Sequence, residues 1–321
     1  MLQRINMILQ KCMPFITPAS VVIGVIFSAW LKEFVFLVPW IFAVMTFSGS
    51  LNSNFSDLRK VLRQPLPLLA CLLVLHLVMP LIALGIGSLL FPGDSYTVTG
   101  LILSFVIPTG ITSLIWVSIY KGHVVLTLSI ILVDTLLAPF VVPYVLKIFV
   151  GTSVEMDVLA IMSGLFWMIV LPSLLGMLIN QFAKKQTSDK LSAAFAPFTK
   201  VGIGLVVAIN SSDVAPFLKE VNGKLLLIAV TVFGMAVLAY GTGFITGRLL
   251  KQSSPIVVSL TYNSGMRNIS GGAVIAITYF PPPVAVPVIV GMLFQQILAS
   301  FTGFFLSRNL RAAERAAVET S

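Results

Sequence analysis

Ten apolar segments, separated by short polar stretches, dominate this chain of 321 residues and constrain its fold more than any other feature. Hydrophobic residues make up 58% of the sequence and charged residues only 10%, whereas soluble domains carry roughly 25% charged residues. A transmembrane helix needs roughly 20 mainly apolar residues. We therefore predict an all-α polytopic membrane protein with ten transmembrane helices, at 14–31, 36–51, 66–91, 97–120, 123–149, 156–182, 195–212, 223–249, 255–280 and 283–307.

The loops between these segments alternate along the chain in the sign of the charged residues that they carry. Acidic residues are concentrated in one set, and basic residues in the other: Arg4, Lys11, Arg59, Lys60, Arg63, Lys121, Lys184, Lys185, Lys190, Arg248, Lys251, Arg308, Arg311 and Arg315. Basic loops stay in the cytoplasm, which explains the net charge of +9 without nucleic-acid binding. The pattern predicts a multi-pass protein of the cell inner (cytoplasmic) membrane with both termini cytoplasmic.

Two of the segments are interrupted by polar residues at mid-length. In the ninth segment the interruption spans Thr261–Gly272 and includes Arg267, and in the fourth it spans Pro108–Ser113. An arginine at the bilayer centre costs about 2.5 kcal/mol or more on insertion scales, so it needs a partner or a purpose. Non-helical backbone at that depth is tolerated only where protein or a watery cavity covers it. Both features are typical of the broken helices that form substrate sites in secondary transporters.

The two interruptions occupy corresponding positions in the two halves of the chain. When they are superimposed, Gly110 aligns with Gly265 and Thr112 with Arg267. Five helices per half place the second half in the opposite orientation, as in inverted repeats. We predict one transporter domain over 1–321, with repeat 1 at about 1–150 and repeat 2 at about 151–310.

Three motifs resemble the bile acid:sodium symporter family. They are the stretch from Met45 to Pro65, which begins Met-Thr-Phe-Ser-Gly-Ser-Leu-Asn, the sequence Pro-Thr-Gly-Ile-Thr-Ser at Pro108–Ser113, and Asn-Ser-Gly-Met-Arg-Asn at Asn263–Asn268. The chain is similar to a bacterial member whose sodium-site residues are altered. The resemblance implies a core of segments 3–5 and 8–10 that carries the crossing broken helices. It also implies a panel of segments 1, 2, 6 and 7.

Several residues depart from the family pattern where the resemblance implies two sodium sites. A family glutamate aligns with Asn263, a glutamine with Arg267 and an asparagine with Leu114, while Ser113 and Thr127 still match. Sodium is a hard cation that needs oxygen ligands, and a guanidinium has no acceptor atom. We therefore expect a degraded sodium site, with no bound metal.

Arg267 is predicted to supply the positive charge in place of sodium, with Asp134 as its partner. Each charge alone is costly to bury, so together they make a plausible ion pair. A sharper version makes Asp134 a proton site. The alternative is a static pair that pins the broken helices and never meets substrate. His76 is expected to be a satisfied helix-packing histidine rather than a proton relay.

The predicted substrate contacts are Thr109, Gly110, Thr112, Asn263, Arg267, Asn268 and Gln296, and the predicted ion-site remnants or replacement pair are Ser113, Thr127, Asp134, Asn263 and Arg267. The alternative for the polar residues is hydrogen bonding between helices. Positive charge in a cavity favours an anion, either bile-acid-like or a small carboxylate or sulfonate.

The function that these features favour is secondary transport of an organic anion by alternating access, independent of sodium or weakly coupled to it. The alternatives are a ligand-binding sensor without transport and a sodium symporter that uses backbone ligands. An enzyme is disfavoured because the apolar segments hold no catalytic cluster. We expect no cofactor and no obligate protein partner, only the substrate anion and the lipid bilayer.

Overall fold

A computed structural model describes residues 16–51, 65–151, 154–183 and 185–319. These residues form helices and turns, and their only β-type pairing is one isolated bridge. The chain is therefore all-α over the part that the structure describes, as predicted. The basic residues Arg59, Lys60 and Arg63 of the predicted cytoplasmic loop lie outside the described residues, so the orientation of the termini stays a prediction.

Helices follow one another through the whole described chain. In order they are α1 Ile16–Ile26, α2 Val38–Ser50, α3 Leu66–Leu90, α4 Ser95–Val106, α5 Ser113–Ile119, α6 Val124–Val150, α7 Val158–Phe182, α8 Lys185–Asp213, α9 Ala215–Lys219, α10 Gly223–Leu249, α11 Ser254–Gly265, α12 Ile269–Tyr279 and α13 Ala285–Glu319.

Seven stretches of the described chain are long and apolar enough to cross a bilayer. They are Ser28–Ser50, Leu66–Leu90, Val124–Val150, Val158–Phe182, Gln186–Asp213, Gly223–Leu249 and Pro282–Leu306. Large apolar side chains on the outside, such as Trp40 and Leu89, are more than 70% exposed, as suits a surface that faces lipid tails. The protein is therefore a multi-pass membrane protein.

Polar residues between the helices cap the helix N-termini. Side chains of Asp94, His123, Asp157 and Asn222 each accept a hydrogen bond from the backbone N–H three residues further on. Such caps satisfy one of the N–H groups that a helix leaves without an internal partner. The few polar residues between spans therefore define where the spans begin.

Both predicted interruptions are present, and they meet. α4 ends at Val106 and α5 begins at Ser113, while α11 ends at Gly265 and α12 begins at Ile269. The intervening backbone strands run antiparallel: the Gly110 N–H donates to the Met266 carbonyl at 3.0 Å, and the Asn268 N–H donates to the Pro108 carbonyl at 2.8 Å. The bridge pairs Thr109 with Arg267. We call this paired segment, 107–112 with 266–268, the crossover.

The base of α4 packs closely against the turn that leads into α13. A Cβ on Gly100 would lie 2.3 Å from the Val284 carbonyl oxygen and 2.9 Å from a ring carbon of Pro287. A backbone oxygen and a proline ring cannot move aside as a flexible side chain can. This contact therefore holds α4, and the crossover at its end, against α13.

We expect Gly100→Ala to lower the midpoint of thermal unfolding in detergent, since overpacking a buried contact costs roughly 1–3 kcal/mol. The matched control is Gly234→Ala, on an exposed face of α10 where a Cβ would meet nothing within 4 Å; it should unfold at or above the wild-type midpoint. Equal midpoints for Gly100→Ala and wild type would contradict the close packing.

Candidate functional site: the crossover and its cavity

The end of α11 is satisfied by side chains instead of by a further helical turn. The Thr109 hydroxyl lies 2.9 Å from the Asn263 carbonyl and 2.8 Å from the Met266 carbonyl, and shares its proton between them. The Arg267 backbone N–H, which would continue the helix, donates instead to the Gln295 side-chain oxygen at 3.2 Å. Buried carbonyl and N–H groups without partners are costly, so these bonds stabilise the break.

The two extended strands approach too closely for a side chain at Gly110. A Cβ there would lie 2.9 Å from the Arg267 carbonyl oxygen and 3.2 Å from the carbonyl carbon. Glycine is the residue that permits such backbone contact. Gly110 therefore acts through the geometry of the crossover.

A cavity of about 140 Å³ opens beside the crossover. One wall is formed by the crossover and its neighbours on α6, α12 and α13, and the other by α1, α2, α7 and α8. Six of the seven predicted substrate contacts line it: Thr109, Gly110, Thr112, Arg267, Asn268 and Gln296. The opposite wall adds hydroxyl groups that the sequence alone did not single out, from Thr46, Ser50, Ser173 and Thr199. Isoleucine, methionine and phenylalanine side chains complete the lining, so the cavity suits an amphipathic molecule.

Arg267 is the one charged residue among the described residues that line the cavity. Its side chain is only 2% exposed, and none of its three guanidinium nitrogens has a hydrogen-bond partner in the described part of the chain. A buried guanidinium carries five donors, and leaving such donors without acceptors is strongly unfavourable. The structure therefore leaves a buried cation without a hydrogen-bond acceptor in the described part of the chain.

Asp134 does not form the direct ion pair with Arg267 that the sequence predicted. Its Oδ1 lies 2.5 Å from the His76 Nε2, and its Oδ2 accepts the Thr109 backbone N–H at 2.7 Å. Both carboxylate oxygens thus have other partners, and none of the guanidinium nitrogens is hydrogen-bonded to them. His76, which was expected to be a satisfied helix-packing histidine, is hydrogen-bonded between two helices, and its partner is this buried acid.

Asn263 does not line the cavity, although it was predicted as a substrate contact. Its Nδ2 donates to the Thr127 hydroxyl at 3.1 Å and to the Ser259 carbonyl at 2.8 Å, and its Oδ1 accepts from the Ser113 hydroxyl at 3.3 Å. A carbonyl can only accept, so the amide NH₂ must face Ser259. The three side chains at the predicted ion-site remnant therefore bond to one another.

The remaining predicted contacts are held by bonds of their own. Asn268 caps α12, because its Oδ1 accepts the Gly271 N–H at 3.2 Å. The Gln296 Oε1 accepts from the Trp116 indole N–H at 3.2 Å. Gln295, which lines the cavity beside Gln296, was missed as a contact.

Comparison with known proteins places the chain among transporters. Residues 39–220 match the Sodium Bile acid symporter family. The chain is 52% identical over 296 residues to Uncharacterized protein YbaS of Bacillus subtilis (strain 168), covering 92% of this chain and 97% of that protein. It is 23% identical over 295 residues to Uncharacterized sodium-dependent transporter YocS of the same organism, covering 89% and 90%. It is also 26% identical over 310 residues to Probable sodium/metabolite cotransporter BASS2, chloroplastic, of Oryza sativa subsp. japonica, covering 93% and 72%.

We expect Thr109→Val to lower the unfolding midpoint, because the isosteric change removes the hydroxyl donor and leaves a buried carbonyl of α11 without a partner, at roughly 1–3 kcal/mol. Thr109→Ser keeps the hydroxyl and is the matched control; it should lose clearly less. If valine and serine were equally stable, the hydroxyl would have no part in satisfying the break.

Proposed function

Because the chain belongs to the sodium bile acid symporter family, we propose that it is a secondary transporter that carries an organic anion by alternating access. Membership supports membrane transport of a small molecule. The anion and the mode of coupling are our proposals, and they are argued from the crossover and its cavity.

The proposal assigns ten membrane-spanning segments to the chain. α4 with α5, and α11 with α12, would each count as one broken span, and the two halves would be inverted repeats. Segments 1, 2, 6 and 7 would form a panel that rocks against a core of segments 3–5 and 8–10. The cavity supports this division, since its two walls come from these two sets of helices.

The observation that carries the proposal is the buried guanidinium of Arg267. Arg267 is a lining residue of the cavity, its buried guanidinium has no hydrogen-bond partner among the described residues, and no lining acid opposes it. A carboxylate or sulfonate would supply the acceptors that the guanidinium lacks. Hydrogen bonds between two charged groups are stronger than those between neutral groups. The hydroxyl groups of Thr109 and Thr112 and the side chains of Asn268 and Gln296 would orient the rest of the substrate, which is bile-acid-like or smaller.

Coupling to sodium is not supported by the donor set behind the crossover. The Asn263 amide turns an N–H donor, not an oxygen, toward Thr127, and its oxygen is already bonded to Ser113. Sodium needs oxygen ligands that are free to coordinate it. We therefore propose transport that is independent of sodium or only weakly coupled to it, with the charge of Arg267 standing in for the ion.

Anion binding is tested on the purified full-length protein by isothermal titration with choline salts of benzoate, benzenesulfonate and taurocholate. We expect at least one to bind, and Arg267→Gln to weaken it roughly 10- to 150-fold, the value of a charge-assisted hydrogen bond of about 1.5–3 kcal/mol. The control is Arg248→Gln, whose guanidinium lies over the Phe244 ring; it should bind like wild type.

No binding by wild type, or equal binding by Arg267→Gln, would overturn the anion site. Flux of the bound compound into proteoliposomes then separates a transporter from a sensor, which would bind without flux.

Sodium binding is tested by measuring the midpoint of thermal unfolding in sodium, potassium or choline chloride at equal ionic strength. A ligand that binds only the folded state raises the midpoint, so we expect equal midpoints in the three salts. The matched variant is Asn263→Glu with Arg267→Gln, which restores family-like acceptors; it should gain a shift specific to sodium. A sodium shift in wild type would refute sodium independence.

A further inference from the structure

We propose that His76 and Asp134 form a proton-binding pair whose protonation is coupled to anion binding at Arg267, so that the protein carries one proton with each anion. The inference rests on the proposed function, since it names the coupling ion of the same site. It starts from a contact that the sequence did not predict, between two residues that are 58 positions apart in the chain.

The pair is built for a single shared proton. The Nε2 of His76 on α3 lies 2.5 Å from the Oδ1 of Asp134 on α6. The aspartate is fully buried and the histidine side chain is 10% exposed. The second ring nitrogen, Nδ1, is buried without a partner in the described chain. A carboxylate and an imidazole at this distance can share one proton in a hydrogen bond, and an imidazole can hold a second proton on its other ring nitrogen.

The pair is joined directly to the substrate cavity through one residue. The Oδ2 of Asp134 accepts the backbone N–H of Thr109 at 2.7 Å, and Thr109 is the residue bridged to Arg267. Thr109 and Arg267 both line the cavity. A change of charge on Asp134 and His76 therefore acts on the strand that carries the anion site.

Four titratable or charged groups lie together at this point of the fold. Besides His76 and Asp134 they are Arg267 on the crossover and Cys71 on α3, whose sulfur lies 3.8 Å from the Ser264 hydroxyl. On α11 and α10, Tyr262 and Tyr240 face each other's rings in an aromatic cluster. With Cys71 and the tyrosines neutral, the positive Arg267 and negative Asp134 sum to zero.

Electrostatics then couples the proton to the anion. Binding a monoanion leaves this buried group of charges at −1, and a proton on the pair returns it to zero. Net charge in a medium of low dielectric constant is strongly unfavourable, so each ligand favours the other. Coupling of this kind is reciprocal: the anion tightens proton binding, and the proton tightens anion binding by the same factor. The carrier would load both together and move no net charge.

The test measures the protons taken up when benzenesulfonate or benzoate binds to the full-length protein, by titration calorimetry in two buffers with different ionisation enthalpies. Both compounds are fully ionised between pH 6 and 8, so any proton comes to the protein. We expect up to one proton per anion, and an affinity that rises by as much as about tenfold for each unit of falling pH, the limit for one linked proton.

His76→Gln keeps an N–H that can donate to Asp134 but does not titrate in this range. We expect it to bind the anion without proton uptake and with an affinity that no longer changes with pH. The control is His123→Asn, which replaces the only other histidine with a residue that still caps α6; it should take up protons as wild type does. Proton uptake retained by His76→Gln would overturn the proposal.

If the His76→Gln protein does not fold, the proposal can still be tested on protein that keeps His76. The chain has two histidines, so nitrogen-15 spectra of histidine-labelled protein contain the signals of two imidazole rings. The signals that disappear in His123→Asn belong to His123, and the others belong to His76. Adding anion at constant pH should raise the protonated fraction of His76, and an unchanged fraction would refute the coupling. Anion binding with no proton uptake in wild type would refute this inference alone, whereas no anion binding would refute the proposed function on which it rests.

Discussion

The structure depends on the mutual hydrogen bonding of two broken helices. In a bilayer every backbone N–H and carbonyl needs a partner within the protein, and a break leaves several without one. The Gly110 N–H of one break donates to the Met266 carbonyl of the other, and the Asn268 N–H donates back to the Pro108 carbonyl. Neither break would be stable without the other. The close backbone contact at Gly110 and the hydroxyl of Thr109 follow from this requirement.

The crossover also decides how the buried charges are distributed. Asp134 is held by the backbone of Thr109 and by His76, and no nitrogen of the guanidinium is hydrogen-bonded to it. Arg267 is fixed by its backbone in the antiparallel bridge and by Gln295, while its buried guanidinium has no acceptor among the described residues. The two opposite charges are therefore close in the fold but are not paired directly. In the proposed function an external anion would supply the acceptors that a direct salt bridge would otherwise have given to Arg267.

The polar residues behind the crossover form a hydrogen-bonded set around the amide of Asn263. An amide at Asn263 turns donors toward Thr127 and Ser259, where a carboxylate would have offered acceptors. The hydroxyl of Ser113 donates to the oxygen of the same amide, so that oxygen also has a partner. The two relatives described above whose names refer to sodium share 23% and 26% identity with this chain over most of its length. Coupling therefore has to be argued from individual side chains.

The sequence by itself determined the membrane class, the all-α architecture and the position of both interruptions, because these depend on the order of apolar and polar residues along the chain. It also placed Arg267 and its neighbours at the centre of the protein, since charge at that depth is conspicuous. The partners were decided only by the tertiary structure. His76 and Asp134 meet because α3 and α6 pack side by side with those two faces together, and Asn263 turns away from the cavity because of its angle around α11. The rotation of a uniformly apolar helix leaves little periodic signal in the sequence, so packing alone selects which polar side chains reach one another.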